Sequence, residues 1–152
     1  MSLVPTDIDH VGIAVRDLEA AVEHYRRTLG IEPVHREHIE SDGVEEALFK
    51  VGSSYVQLLA PTGPDTPVGK FIEKRGEGVH HVGYRVDDVA AVVEHMKAEG
   101  VPMVDEVPRP GSRGTTVAFA RNPLEASRSA AAQRKLAFVL HVSGNFEDAG
   151  FT

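Results

Sequence analysis

Two histidines in this 152-residue chain stand at the same place in a repeated phrase. "IDHVGIAVRDLEAAVEHY" (8–25) returns as "VHHVGYRVDDVAAVVEHM" (79–96), and a shift of 71 positions matches nine of the eighteen residues, His10 with His81 among them. Neutral imidazole is the commonest protein ligand for a metal, and each histidine has a glycine two residues on, Gly12 and Gly83, that leaves room beside it. Either histidine alone reads as a hydrogen-bonded structural residue; it is the duplication that favours a shared site. Gln57 is a third candidate. In "YVQLL" it shares a face with Tyr55 and Leu59, opposite Val56 and Leu58, and an amide on a buried strand needs a partner, either an ion or backbone. Glu46 in "GVEEALF" shares a face with Val44 and Leu48, so it looks inward while Glu45 points the other way.

The elements that must position these groups are legible in the same repeat. Val11, Ile13 and Val15 alternate with Ile8, His10, Gly12 and Ala14, which predicts a strand. Leu18, Ala21, Val22, Tyr25 and Leu29 then recur at offsets of three and four, a helical stripe suited to cover the valine face, with Asp17 as N-cap and Gly30 as stop. His10 therefore points away from its helix. The second copy repeats this arrangement, with Val82, Tyr84 and Val86 under Val89, Val92, Val93 and Met96 and with His81 on the opposite face, whereas His80 falls on the helix-facing side. Strands are expected at 33–41, 43–52 and 54–61 and an amphipathic helix near 68–76; in the second half, strands are expected at 103–108, 114–120 and 135–144. Each half reads βαβββ, module one about 7–62 and module two about 78–144, joined by a helix about 66–76 in a single domain spanning 1–152. The Ala/Ser/Arg-rich stretch 121–134 is the least regular part.

Composition narrows the function classes. An apolar fraction of 41% and a charged fraction of 26% belong to an ordinary globular protein. Sixteen basic residues against 23 acidic ones give a formal charge of -7, which disfavours nucleic acid or an anionic membrane as a partner. There are no cysteines, so thiolate metal sites and disulfides are excluded. The start lacks a basic segment followed by an apolar run, which makes the cytoplasm the expected location.

Beyond the repeat, "IDHVGIAV", "DGVEEALF", "VQLLAP", "KFIEKRGEGVHHVGYRVDD" and "DEVPRPGSRG" resemble, in order and spacing, the methylmalonyl-CoA epimerases of the vicinal oxygen chelate superfamily. That superfamily also contains glyoxalase I and extradiol dioxygenases. The likeness covers about residues 7–119. It implies an α+β fold in which two duplicated βαβββ modules form an open cup-shaped mixed sheet around one divalent metal ion, with His10, Gln57 and His81 as ligands and Glu46 as the base. It also implies a coenzyme A thioester substrate and a homodimer. Removing the proton between a thioester and a carboxylate builds charge on the thioester oxygen, which a divalent ion would stabilise by several kcal/mol. In so acidic a chain, the coenzyme A phosphates need local cations. Lys70, Lys74 and Arg75 on the connecting helix and Arg109 and Arg113 around "PRPGSRG" are the candidates.

The family pattern continues into a last strand whose glutamate is both fourth ligand and second base. Here no glutamate stands on an apolar alternating strand after residue 119: Glu125 lies in the irregular stretch and Glu147 in a polar tail. Alternation in "KLAFVLHVSG" instead puts His141 on the cup face, where it would replace the carboxylate as fourth ligand and leave metal binding with one-sided proton exchange. The competing expectation is a surface His141 with water in the fourth position. Two other functions share the fold: a non-catalytic small-molecule-binding protein, expected to lack a complete ligand set, and a glyoxalase-like lyase or ring-cleaving enzyme.

Overall fold

The computed structural model describes residues 3–121 and the backbone of 139–144. The elements are β1 (Asp7–Ala14), α1 (Leu18–Leu29), β2 (His35–Ile39), β3 (Val44–Val51), β4 (Ser54–Pro61), α2 (Pro67–Arg75), β5 (Gly78–Val86), α3 (Val89–Ala98), β6 (Arg109–Pro110), β7 (Thr116–Ala120) and β8 (Val139–Gly144). This is an α+β fold with a mixed sheet. The chain divides into two compact units, His10–His81 and Met1–Asp9 with Val82–Thr152.

In the unit His10–His81 the strand order is β2, β3, β4, β1 and then residues 78–81 of β5. β1 runs parallel to β4, and β3 is antiparallel to both β2 and β4. Parallel pairing requires a crossover, and α1 with the β2–β3 hairpin supplies it. Register decides the two faces. Gly12 lies beside Gln57, Gln57 beside Leu48 and Leu48 beside His35, while Ala14, Leu59, Glu46 and Glu37 form the next row. Because residues directly across a sheet share a face, all of these lie on one side. On the other side Val15, Ala47, Phe49, Leu58 and Ala60 pack with Leu18 and Val22 of α1, and Ile13 and Tyr25 close the margin. Asp17 caps α1 by accepting from the Ala20 N–H at 3.0 Å, and Gly30 stops it in the left-handed conformation. Leu29 departs from the expected stripe: it is 63% exposed, since the helix ends there beyond the edge of the strands it covers.

α2 covers part of the opposite face. Val68 and Ile72 pack on Ala14, Val44 and Leu59, with Phe71 beside them. Thr66 caps this helix, its hydroxyl accepting from the Gly69 N–H at 3.1 Å.

The second unit carries residues 7–9 of β1, then β5, β8, β7 and β6. Val86, Val89, Val92, Val93 and Ala118 form its core, with Met96 and Met103 against it, as the second copy of the repeat predicts. Asp88 caps α3 as Asp17 caps α1. The strand expected at 103–108 is not formed. Met103 makes a single bridge to Ala120, and the pairing with β7 moves to Arg109–Pro110. Val104 and Asp105 both donate to the Phe119 carbonyl, at 2.8 and 3.0 Å, Asp105 takes the Phe119 N–H on its carboxylate at 2.8 Å, and Pro108 has no N–H to continue a ladder. β8 pairs antiparallel with β7, Phe119 beside His141, so the last strand does join this half of the sheet. The side chain of His141 and the stretch 122–138 lie outside the described residues. No helix among the described residues is long and apolar enough to cross a membrane.

Candidate active site

His10, Gln57, His81 and Glu46 all fall in the unit His10–His81 and are all buried, at 2%, 5%, 3% and 1% exposure. Four polar side chains buried this deeply in one small unit need an account. β1 and β5 bring the two histidines together: the Nε2 atoms face each other at 2.9 Å, with ring centroids 5.0 Å apart and planes at 84°. One of these nitrogens carries the shared proton and the other offers a lone pair. Gly12 makes this approach feasible. A Cβ there would lie 2.4 Å from His81 Cε1, 2.7 Å from Nδ1 and 2.8 Å from Nε2. The glycine after the first histidine thus makes room for the second histidine, across the strands.

Gln57 links the histidine pair's face to the carboxylate. Its side-chain N–H donates to Glu46, and its Oε1 is buried without a hydrogen-bond partner. A buried, unpaired amide oxygen is costly unless something electropositive meets it. Two imidazole nitrogens and such an oxygen form a donor set that accepts a divalent ion, so these residues fit the group that the repeat suggests. Glu45, by contrast, is exposed, as alternation predicts.

His80 adds a contact on the far side of His81. The two Nδ1 atoms stand 2.8 Å apart, and the Phe71 ring meets His80 edge-on at 4.8 Å. Burial pushes the His80 imidazole down to about 4, so it is neutral near pH 7. The sequence reading expected His80 on the face covered by the helix that follows it, but the ring meets Phe71 of α2 and His81 itself.

Two site-face residues escape sequence reasoning. His35 and Glu37 on β2 stand across from Leu48 and Glu46, and one ligand atom from each of His35, Glu37 and Glu46 lies within 4.8 Å of the others. His35 Nε2 is 2.9 Å from Glu37 Oε2. The alternation of "HREHI" carried the signal, since it puts His35, Glu37 and Ile39 on one face, but only the hairpin register shows that this is the face of Glu46.

The expected phosphate cations part company. Lys70 and Lys74 are exposed on α2, and so is Arg75. Arg113 is corrected: its side chain is only 8% exposed and pairs with the fully buried Asp9, so it is no solvent-facing cation. Arg85 meets the same carboxylate at 2.9 Å and Asp7 at 3.2 Å. An arginine stem buried in the loop requires a counter-charge, and Asp9 supplies it. Arg109 is likewise engaged, with Asp105 at 3.0 Å and over the Phe119 ring.

Residues 9–119 match the profile of the Glyoxalase/Bleomycin resistance protein/Dioxygenase superfamily. The chain is 35% identical over 114 residues to an ethylmalonyl-CoA/methylmalonyl-CoA epimerase of Cereibacter sphaeroides, a match covering 74% of this chain and 85% of the relative. It is 32% identical over 113 residues to the mitochondrial methylmalonyl-CoA epimerase of Homo sapiens, covering 74% of this chain and 64% of that one. Among solved structures, a variant of Streptomyces coelicolor methylmalonyl-CoA epimerase in complex with 2-nitronate-propionyl-CoA superposes with a TM-score of 0.83 at 37% identity, covering 95% of this chain and 97% of that chain.

Proposed function

The chain belongs to the glyoxalase/bleomycin resistance protein/dioxygenase superfamily, and we propose that it is a metal-dependent epimerase of methylmalonyl-CoA working by α-proton abstraction. The observation that carries this reading is the Gln57 amide, whose nitrogen holds Glu46 while its oxygen is left buried and unpaired. One side chain thereby couples the base to the ion's seat. His10, Gln57 and His81 would hold a divalent ion, which would supply Lewis-acid stabilisation of the negative charge that grows as the proton leaves. Glu46 takes that proton. It is buried, so the carboxylate is shielded from bulk water, and the Gln57 N–H fixes its orientation. Lys70 and Lys74 are the cations offered to the coenzyme A phosphates; Arg109 and Arg113 are committed to Asp105 and Asp9.

His35, Glu37 and Glu46 form a second donor set that could seat an ion. An ion there would occupy the carboxylate needed as base, and it would leave the Gln57 oxygen unexplained. His10, Gln57 and His81 are therefore assigned the ion. The fourth-ligand expectation for His141 rests on a side chain outside the described residues. With Glu46 as the one base assigned, exchange of the α-proton with solvent is expected to outpace net inversion.

The test is deuterium exchange into methylmalonyl-CoA in deuterated solvent, followed beside epimerisation. Glu46→Gln lowers exchange by about 10² to 10⁴ while metal content stays stoichiometric. Unchanged exchange in Glu46→Gln removes Glu46 from the mechanism.

A further inference from the structure

Both ring nitrogens of His81 face another imidazole. Nε2 looks at His10 Nε2 at 2.9 Å, and Nδ1 looks at His80 Nδ1 at 2.8 Å. A neutral imidazole carries one proton, and an imidazole that offers Nε2 to a metal must carry it on Nδ1. At a hydrogen-bonded pair of like nitrogens only one can be the donor. If His81 donates from Nδ1, then His80 Nδ1 is the acceptor and the proton of His80 sits on its own Nε2.

We infer that His80 is a positioning residue for the metal site: its Nδ1 accepts the Nδ1–H of His81, fixing the tautomer and ring orientation that present His81 Nε2 beside His10 Nε2. The inference rests on the assignment of His81 as a ligand. Three further contacts support it. The His80 ring is itself held edge-on by Phe71 of α2, with an interplanar angle of 82°. The His80 and His81 rings meet at 84° with centroids 5.1 Å apart, so the bond is directed at a ring edge and not at a face. Gly12 leaves the His81 ring only the space it occupies. His81 is thus confined on three sides, by His10, Gly12 and His80. A ligand's outer hydrogen-bond partner typically sets its orientation and basicity, and losing it costs about 10- to 100-fold in metal affinity.

The experiment compares four full-length, metal-free proteins: the unaltered chain, His80→Phe, His80→Asn and His81→Ala. Zinc affinity is read by competition with a chromophoric chelator, and the His81 tautomer of the unaltered chain is read from long-range ¹⁵N–¹H correlations. Phenylalanine keeps the packing on Phe71 but has no acceptor, whereas asparagine places an oxygen where Nδ1 stood. His80→Phe is expected to weaken zinc binding about 10- to 100-fold, His80→Asn to stay within about 3-fold of the unaltered chain, and His81→Ala to lose the site. In the unaltered chain the His81 proton is expected on Nδ1. If His81→Ala loses zinc while His80→Phe binds it normally, His80 has no positioning role and the site assignment stands. If His81→Ala retains zinc, the assignment fails and this inference fails with it. Should His80→Phe not fold, a His81 proton found on Nε2, or an asparagine variant as weak as a ligand knockout, overturns the inference.

Discussion

Gly12→Ala probes the site by adding one methyl group and no charge. Nothing about the backbone at this position forbids alanine: Gly12 is absent from the residues with positive φ, so the cost is one of space. The added Cβ would stand 2.4 Å from His81 Cε1, and ordinary contact begins at 3.4 Å, so the ring must retreat by about 1 Å. The His81 ring cannot retreat freely, because it is 3% exposed and held by His10 on one nitrogen and His80 on the other. Functional constellations tolerate about 0.5 Å of error, and a displacement twice that removes His81 Nε2 from the pair. The expected penalty in metal affinity is about 100-fold, the upper end for a disturbed supporting contact and equivalent to about 2.7 kcal/mol. Overpacking should cost a further 1–3 kcal/mol or so in stability, too little to unfold a domain of ordinary stability. Chelator competition measures the first term, and urea unfolding of the metal-free protein measures the second. Zinc affinity equal to that of the unaltered chain would refute the reasoning, because the ring could not then be where it lies, in van der Waals collision with the new methyl, and still bind.

Arg113→Ala should destabilise the chain by about 3 kcal/mol, the low end of the cost of breaking a buried ion pair, because Arg85 still neutralises Asp9. That corresponds to a fall of roughly 6–12 °C in the unfolding midpoint, and a fall of under about 2 °C would show that Asp9 does not depend on Arg113. Chelation should lower the midpoint as well. An ion present at a hundred times its dissociation constant contributes about 2.7 kcal/mol, and His81→Ala should show no response to the chelator. A chelator response that persists in His81→Ala would place the stabilising ion elsewhere.

What could be read from the sequence follows from the range of the forces involved. The histidine pair and its strands were legible because the repeat states them twice, and the inward aim of Glu46 and Gln57 because side-chain direction alternates along a strand. His35 and Glu37 were hidden behind register. Their meeting with Glu46 depends on a hairpin whose connection passes through a helical turn at Glu40–Asp42 and a left-handed Gly43, so Asp42-Gly43 marks the turn while the register comes from the longer loop. Arg113 was misread for a related reason. Its glycine-flanked loop looks like a solvent-facing anion cradle, but the residue adopts φ 58 and points its guanidinium at a carboxylate 104 positions away. The expected strand at 103–108 fails because the Val104 and Asp105 N–H groups both converge on the Phe119 carbonyl and Pro108 has no N–H to continue a ladder.

The repeat keeps the two histidines equivalent and lets their supports diverge. Asp9 and His80 occupy matching positions, each immediately before one of the proposed ligand histidines. The two have found different partners. Asp9 is committed to Arg85 and Arg113 in one unit. His80 is committed to Phe71 and to His81 itself in the other. A charged carboxylate at position 80 would sit against an aromatic edge on one side and the second imidazole on the other, without an arginine to neutralise it. An imidazole at position 9 would take the buried carboxylate from Arg113 and leave Arg85 with Asp7. The two positions are therefore not interchangeable even though the repeat aligns them, and swapping their residues should do damage by different routes: loss of a buried ion pair at position 9, measured as a fall in the unfolding midpoint, and loss of ring orientation at position 80, measured as weaker zinc binding.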